Sequence, residues 1–215
     1  MLIAITVKKF GQFIELVLTT LLIYIIIAIP DCFLWIDRSN SWYILITNIT
    51  GVIIAYFGYR YLAQKTDTIF ESINFKKIGF VIIILIMTII IIDYVLPVLV
   101  GQDQGSGANQ KAIEDIINQA GLPALLFKFN IVFIGPTLEE VFFRGIMFEE
   151  ARPLGKYVQF IWPTLTFAAV HSPGTIDQWA TYLTAGVSLM FIKIVTKKLQ
   201  YAILFHSLHN LIVLF

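Results

Sequence analysis

The segment Ile78–Val100 of this 215-residue chain has the sequence IGFVIIILIMTIIIIDYVLPVLV and contains one charged residue, Asp93. As a helix it is long enough to cross about 30 Å of bilayer hydrocarbon. Other apolar segments recur along the chain, at Phe13–Leu34, at Trp42–Leu62, from Leu122 through Pro136, at Val158–His171, at Trp179–Val195 and at Leu199–Phe215. The pattern predicts an all-α fold, a polytopic transmembrane helical bundle of about seven spans.

The composition supports a membrane protein and excludes several other classes. Hydrophobic residues make up 58% of the chain and charged residues 13%, with a mean hydropathy of +0.83, so there are too few charges to cover a soluble domain. A net charge of +1 without a basic patch argues against a nucleic-acid partner. A single cysteine, Cys32, excludes an internal disulfide and a cysteine-based metal site. The lipid bilayer is therefore the first predicted partner.

Basic residues predict the orientation in the membrane, because short cytoplasmic loops retain Lys and Arg. With seven spans, one side holds only Arg38 and Lys111. The other side holds Lys8, Lys9, Arg60, Lys65, Lys76, Lys77, Arg152, Lys156, Lys193, Lys197 and Lys198. This asymmetry predicts a multi-pass cell-membrane protein with a cytoplasmic N-terminus, whose first apolar segment is an uncleaved span.

The polar side chains are unevenly distributed between two parts of the chain. Residues 1–117 comprise three spans that look like plain lipid-facing helices, followed by a polar, glycine-containing outer loop. Residues 118–215 comprise the last four spans and carry nearly all of the polar groups predicted to lie within the membrane. We therefore expect the catalytic or binding core in residues 118–215.

Glu139, Glu140 and Arg144 lie in the run GPTLEEVFFRGI, residues 135–146. A charged side chain near the centre of a bilayer costs about 3 kcal/mol or more, so such groups are usually paired and functional. Glu140 and Arg144 are four residues apart with the acid first, which favours an ion pair on one helix face. Glu139 points about 100° away and remains for chemistry. The alternative is that all three form a structural polar cluster.

Three histidines and an asparagine follow on later apolar segments. His171 lies four residues after Phe167 on one face of its span, and Ser-Pro-Gly then ends the helix. His206, His209 and Asn210 share a face of the last span, because offsets of three and four return to the same side of a helix. Together with Glu139 they are the side chains needed to activate a water molecule.

The ordered motifs E-E-x-x-x-R (Glu139 to Arg144), F-x-x-x-H (ending at His171) and H-x-x-x-N (His206 to Asn210) resemble the CPBP family of intramembrane proteases. This family, also called Abi, takes its name from CAAX proteases and bacteriocin processing. The resemblance covers about the last 80 residues. It implies that Glu139 and His171 hold and deprotonate the attacking water. It also implies that His206 and Asn210 stabilise the oxyanion.

The predicted function is hydrolysis of a peptide bond in a peptide or membrane-protein substrate, with bacteriocin-related processing or self-immunity as the family-linked role. No cofactor is favoured, although Glu139, His171 and His206 form a two-histidine, one-carboxylate set that suits zinc. The alternatives are a catalytically inactive immunity or scaffold protein and an ion- or proton-coupled transporter. In the transporter, Glu139, Lys128, Asp93 and the histidines would form the relay. No oligomeric state is predicted.

Overall fold

The computed structural model describes residues 2–34, 36–37, 39–66, 69–101 and 121–214. These residues form seven helices and no strand. In chain order the helices are α1 (Leu2–Asp31), α2 (Ser41–Lys65), α3 (Phe75–Val100), α4 (122–151), α5 (Lys156–Val170), α6 (Ile176–Thr196) and α7 (Leu199–Leu214). The predicted all-α, polytopic helical bundle is confirmed, and each predicted span corresponds to one helix.

The seven helices differ in how well each would span a membrane alone. Among the described residues, α1, α2, α3 and α6 are long and apolar enough to do so. Helices α5 and α7 have 15 and 16 residues, and α4 carries buried charges. The three helices with the site motifs are therefore those that depend most on their neighbours. The predicted outer loop, with Lys111, and the orientation residue Arg38 lie outside the described residues.

Helix α2 is not the plain lipid-facing span that the sequence predicted. In its most apolar 18-residue stretch 33% is buried inside the protein, against 17% in that of α3. Its glycines allow close contact with α4. A Cβ atom added at Gly51 would lie 2.8 Å from Ile134 Cγ2, and one at Gly58 would lie 2.9 Å from Val141 Cγ1. Small residues permit this approach between membrane helices. Helix α2 therefore packs directly against α4.

A buried polar contact adds to the α2–α4 interface. The side-chain amide of Asn48 donates to the carbonyl oxygen of Leu126 over 3.1 Å, and Asn130 Nδ2 donates to Asn48 Oδ1 over 2.7 Å. Asn48 is buried, so these bonds satisfy an amide that would be costly if left unpaired. The sequence analysis gave Asn48 no structural role.

The loop between α2 and α3 is bonded to the start of α7. Glu71 Oε1 accepts from Lys77 Nζ at 2.8 Å and from the Tyr201 hydroxyl at 2.9 Å, and the backbone of Leu199 donates to Ile69 O at 3.0 Å. The hydrogen bonds from Lys77 and Tyr201 lower the pKa of Glu71. These hydrogen bonds hold the N-terminal end of α7, the helix that carries His206 and Asn210.

Candidate active site

Glu139 and His171 come together from α4 and α5. His171 directly follows α5 as its C-cap residue, and its Nε2 lies 3.8 Å from Glu139 Oε2. Its Nδ1 lies 2.8 Å from the carbonyl oxygen of Phe167. A carbonyl oxygen only accepts, so Nδ1 carries the hydrogen, and in the neutral ring Nε2 is an acceptor that faces Glu139.

The surroundings of this pair are largely closed. The side chains of Glu139 and His171 are 21% and 17% exposed, and Glu139 Oε2 is buried without a hydrogen-bond partner in the protein. The ring of Tyr182 on α6 stacks on His171, with centroids 4.4 Å apart. The sequence analysis missed Tyr182, because no motif spacing relates it to His171.

Glu140 and Arg144 are fully buried, and Arg144 Nη1 lies 3.0 Å from Glu140 Oε1, the pairing expected from their spacing. Arg144 also donates from Nη2 to the carbonyl oxygen of Gly186 on α6, over 3.2 Å. The same Glu140 oxygen lies 2.9 Å from His206 Nδ1 on α7. The sequence did not predict this second contact, because Glu140 and His206 are 66 residues apart and lie on different helices.

Phe167 lies at the centre of these groups and is 2% exposed. The guanidinium of Arg144 lies 4.1 Å from its ring centroid, and the rings of His171 and His206 lie 4.7 and 5.7 Å away. Two of the motif histidines and the buried arginine therefore meet on one aromatic ring. Phe167 appeared in the sequence only as the first residue of the F-x-x-x-H motif.

Asn210 contacts α4 through its backbone. The side-chain amide Nδ2 donates to the carbonyl oxygen of Ile131 over 2.9 Å. Ile131 belongs to a π-helical turn, Asn130–Ile134, in which each carbonyl oxygen would accept from the residue five positions later. For Ile131 that residue is Pro136, which has no N–H. Asn210 therefore supplies the donor that the proline lacks.

The predicted site residues therefore form three side-chain contacts, and Asn210 contacts the backbone of α4. Glu139 faces His171, Glu140 binds both Arg144 and His206, and Asn210 is bonded to the turn that precedes Glu139. His209 stacks on Phe205 of its own helix, with centroids 6.0 Å apart.

The side chains considered for metal binding or ion transport are not grouped together in the described residues. In the part of the chain that the structure describes, no group of three His, Cys, Asp or Glu side chains is arranged to hold a metal ion. Asp93 is exposed on a π-helical turn of α3 and, with Asp177 of α6, lines a cleft of about 390 Å³. Lys128 is half-buried on α4 and has an interaction partner.

Comparison with known proteins agrees with the motifs. Residues 121–212 match the family model described as Type II CAAX prenyl endopeptidase Rce1-like. The matched segment contains all three motifs and runs from the start of α4 into α7. No curated protein and no solved structure matches the chain. The resemblance inferred from the motifs is confirmed over this segment.

Proposed function

We propose, for a chain whose core over residues 121–212 is of the Rce1-like CPBP family, that it hydrolyses a peptide bond within or beside the bilayer. Membership of this family supports a CAAX-type intramembrane endopeptidase in general terms. The activity of this chain, its mechanism and its substrate are the proposal.

The contact between Glu139 and His171 carries the mechanism. His171 Nε2 and Glu139 Oε2 are both acceptors and stand 3.8 Å apart, too far for a direct hydrogen bond. One water molecule has two hydrogens and suits such a pair, giving one hydrogen to each acceptor. As the water oxygen attacks the scissile carbonyl carbon, Glu139 takes a proton and later returns it to the leaving amine.

His206 and Asn210 are the proposed oxyanion donors. Each uses one polar atom to hold α7 against α4, and each has a further group to offer. On His206 this is Nε2, and on Asn210 it is the second amide hydrogen. Losing one such donor typically lowers turnover by about 100- to 1,000-fold.

The proposed substrate is a peptide or membrane protein that reaches the site from the bilayer. The matched family suggests a prenylated C-terminal peptide, and the wider CPBP resemblance suggests bacteriocin-related processing or self-immunity. We propose the cell membrane as the location, with the N-terminus in the cytoplasm.

A cleavage assay on the purified protein tests this function. The probes are a farnesylated peptide ending in a CAAX sequence, the same peptide without the lipid, and a bacteriocin leader peptide. We expect at least one to be cleaved, and Glu139→Gln and His171→Ala to abolish cleavage without lowering the yield of folded protein. Glu150→Gln is the matched control, because Glu150 bonds to Tyr61 and Lys65 near the end of α4. Cleavage that survives Glu139→Gln would contradict the proposal.

A further inference from the structure

One oxygen of Glu140 serves two buried partners on different helices. Oε1 lies 3.0 Å from Arg144 Nη1 and 2.9 Å from His206 Nδ1, and all three side chains are buried. Arginine is always charged in proteins, so Glu140 beside it is a carboxylate and can only accept. The hydrogen in the contact with His206 therefore sits on Nδ1 of the histidine.

Arg144 also has a hydrogen bond and an aromatic contact that do not involve Glu140. Its Nη2 donates to the carbonyl oxygen of Gly186, and its guanidinium lies over the ring of Phe167. A carboxylate whose one role was to neutralise Arg144 would not need to direct the same oxygen at a histidine on α7. The contact with His206 thus points to a second role for Glu140.

The two neighbouring glutamates contact different histidines. Adjacent residues on a helix point about 100° apart, so Glu139 meets His171 on α5 while Glu140 meets His206 on α7. Nδ1 of His171 donates to a neutral carbonyl oxygen, whereas Nδ1 of His206 donates to a carboxylate. The two imidazole rings therefore differ in the charge of the acceptor that Nδ1 contacts, which is consistent with different roles.

The hydrogen on Nδ1 decides what Nε2 of His206 can do. A neutral ring held in this way has only a lone pair at Nε2, and it must gain a second proton before it can donate to an oxyanion. We propose that Glu140 is a positioning residue for His206: through the contact with Nδ1 it fixes the tautomer and the orientation of the ring, and thereby the position of Nε2 relative to the substrate carbonyl oxygen. This proposal rests on the proposed peptidase function.

The ionisable groups that face His206 come from three helices. On α4 the carboxylate of Glu140 faces the ring directly, with Arg144 on the same oxygen. His171 on α5 and His209 on α7 are the titratable rings that interact with it. Of these groups, the carboxylate of Glu140 is in direct contact with a ring nitrogen of His206.

The first test compares Glu140→Gln, His206→Ala and the double variant in the peptide cleavage assay, with Glu150→Gln as the control. Glutamine keeps the size of the side chain and an acceptor oxygen but removes the charge. We expect Glu140→Gln to lower kcat by at least about 100-fold with little change in KM, as for loss of the acid that supports a catalytic histidine. The double variant should be no slower than His206→Ala, because Glu140 acts through that ring. Losses that multiply in the double variant would overturn the proposal.

The second test does not depend on cleavage. In wild-type protein labelled with ¹⁵N at its three histidines, His206 is identified by the signals missing in His206→Ala. We expect a protonated Nδ1 in wild type and a changed ring signal in Glu140→Gln. Glu140→Asp, which keeps the charge, should retain more turnover than Glu140→Gln.

The outcomes separate the two proposals. If the Glu140 variants do not accumulate, the wild-type spectrum assigned with His206→Ala still decides, because an unprotonated Nδ1 on His206 would overturn the assignment of Glu140. If the spectrum is as expected but wild-type protein cleaves none of the peptide probes, the peptidase function fails while the contact between Glu140 and His206 stands.

Discussion

The side-chain amide of Asn210 donates to the backbone carbonyl oxygen of Ile131, joining α7 to a π-helical turn of α4 over 2.9 Å. The bond exists because Pro136 cannot supply the backbone hydrogen that this turn would otherwise use. It ties an apolar membrane helix to the turn that leads into Glu139 and Glu140.

Asn210→Ala should lower the thermal stability of the protein in detergent, since the carbonyl of Ile131 loses its donor. A buried unsatisfied polar group costs about 1–3 kcal/mol. In a Pro136→Ala background, residue 136 gains an N–H that can bond to Ile131. The same Asn210→Ala change should therefore cost less there, by about 1 kcal/mol. Equal losses of melting temperature in both backgrounds would argue against this explanation of the contact.

Gly58→Ala should lower the melting temperature and the folded yield. The added Cβ would lie 2.9 Å from Val141 Cγ1 and 3.2 Å from Phe142 Cζ, and overpacking of this kind costs about 1–3 kcal/mol. Gly79→Ala in α3 is the matched control, since a Cβ there has no atom within 4 Å. That change should be neutral or slightly stabilising, because alanine favours helix. If both variants behave alike, α2 does not support α4 as closely as described.

A chelator should leave wild-type cleavage of the peptide probe unchanged, because we propose that Glu139 and His171 activate water without a resident metal. The zinc alternative, through Glu139, His171 and His206, predicts stoichiometric zinc in elemental analysis of the purified protein. It also predicts that this zinc is lost in His206→Ala. Finding both would replace the proposed mechanism with a metal-dependent one and leave the peptidase function in place.

Impermeant thiol labelling checks the proposed orientation. In a Cys32→Ser background, Ser39→Cys places a thiol between α1 and α2, and Ser72→Cys places one between α2 and α3. Both positions are exposed. With the N-terminus in the cytoplasm, an impermeant maleimide should label residue 39 in intact cells and residue 72 only after the membrane is opened. The reverse pattern would invert the topology.

The sequence by itself determined the features that depend on composition and on contacts within one helix. Long apolar segments cannot fold as a soluble domain, which determined the membrane class and the helical fold. Glu140 and Arg144 are four residues apart, so helix geometry alone brings them together. The three motifs were sufficient to predict the family resemblance, which the family model matches over residues 121–212.

Only the tertiary structure decided which distant groups meet. The bond between Glu140 and His206, the stacking of Tyr182 on His171 and the packing of α2 against α4 all join separate helices. Their partners depend on how each helix is rotated and shifted against its neighbours, which periodicity along one helix does not specify. For that reason the sequence named the catalytic candidates, whereas the assignment of one glutamate to each histidine came from the packing of α4 against α5 and α7.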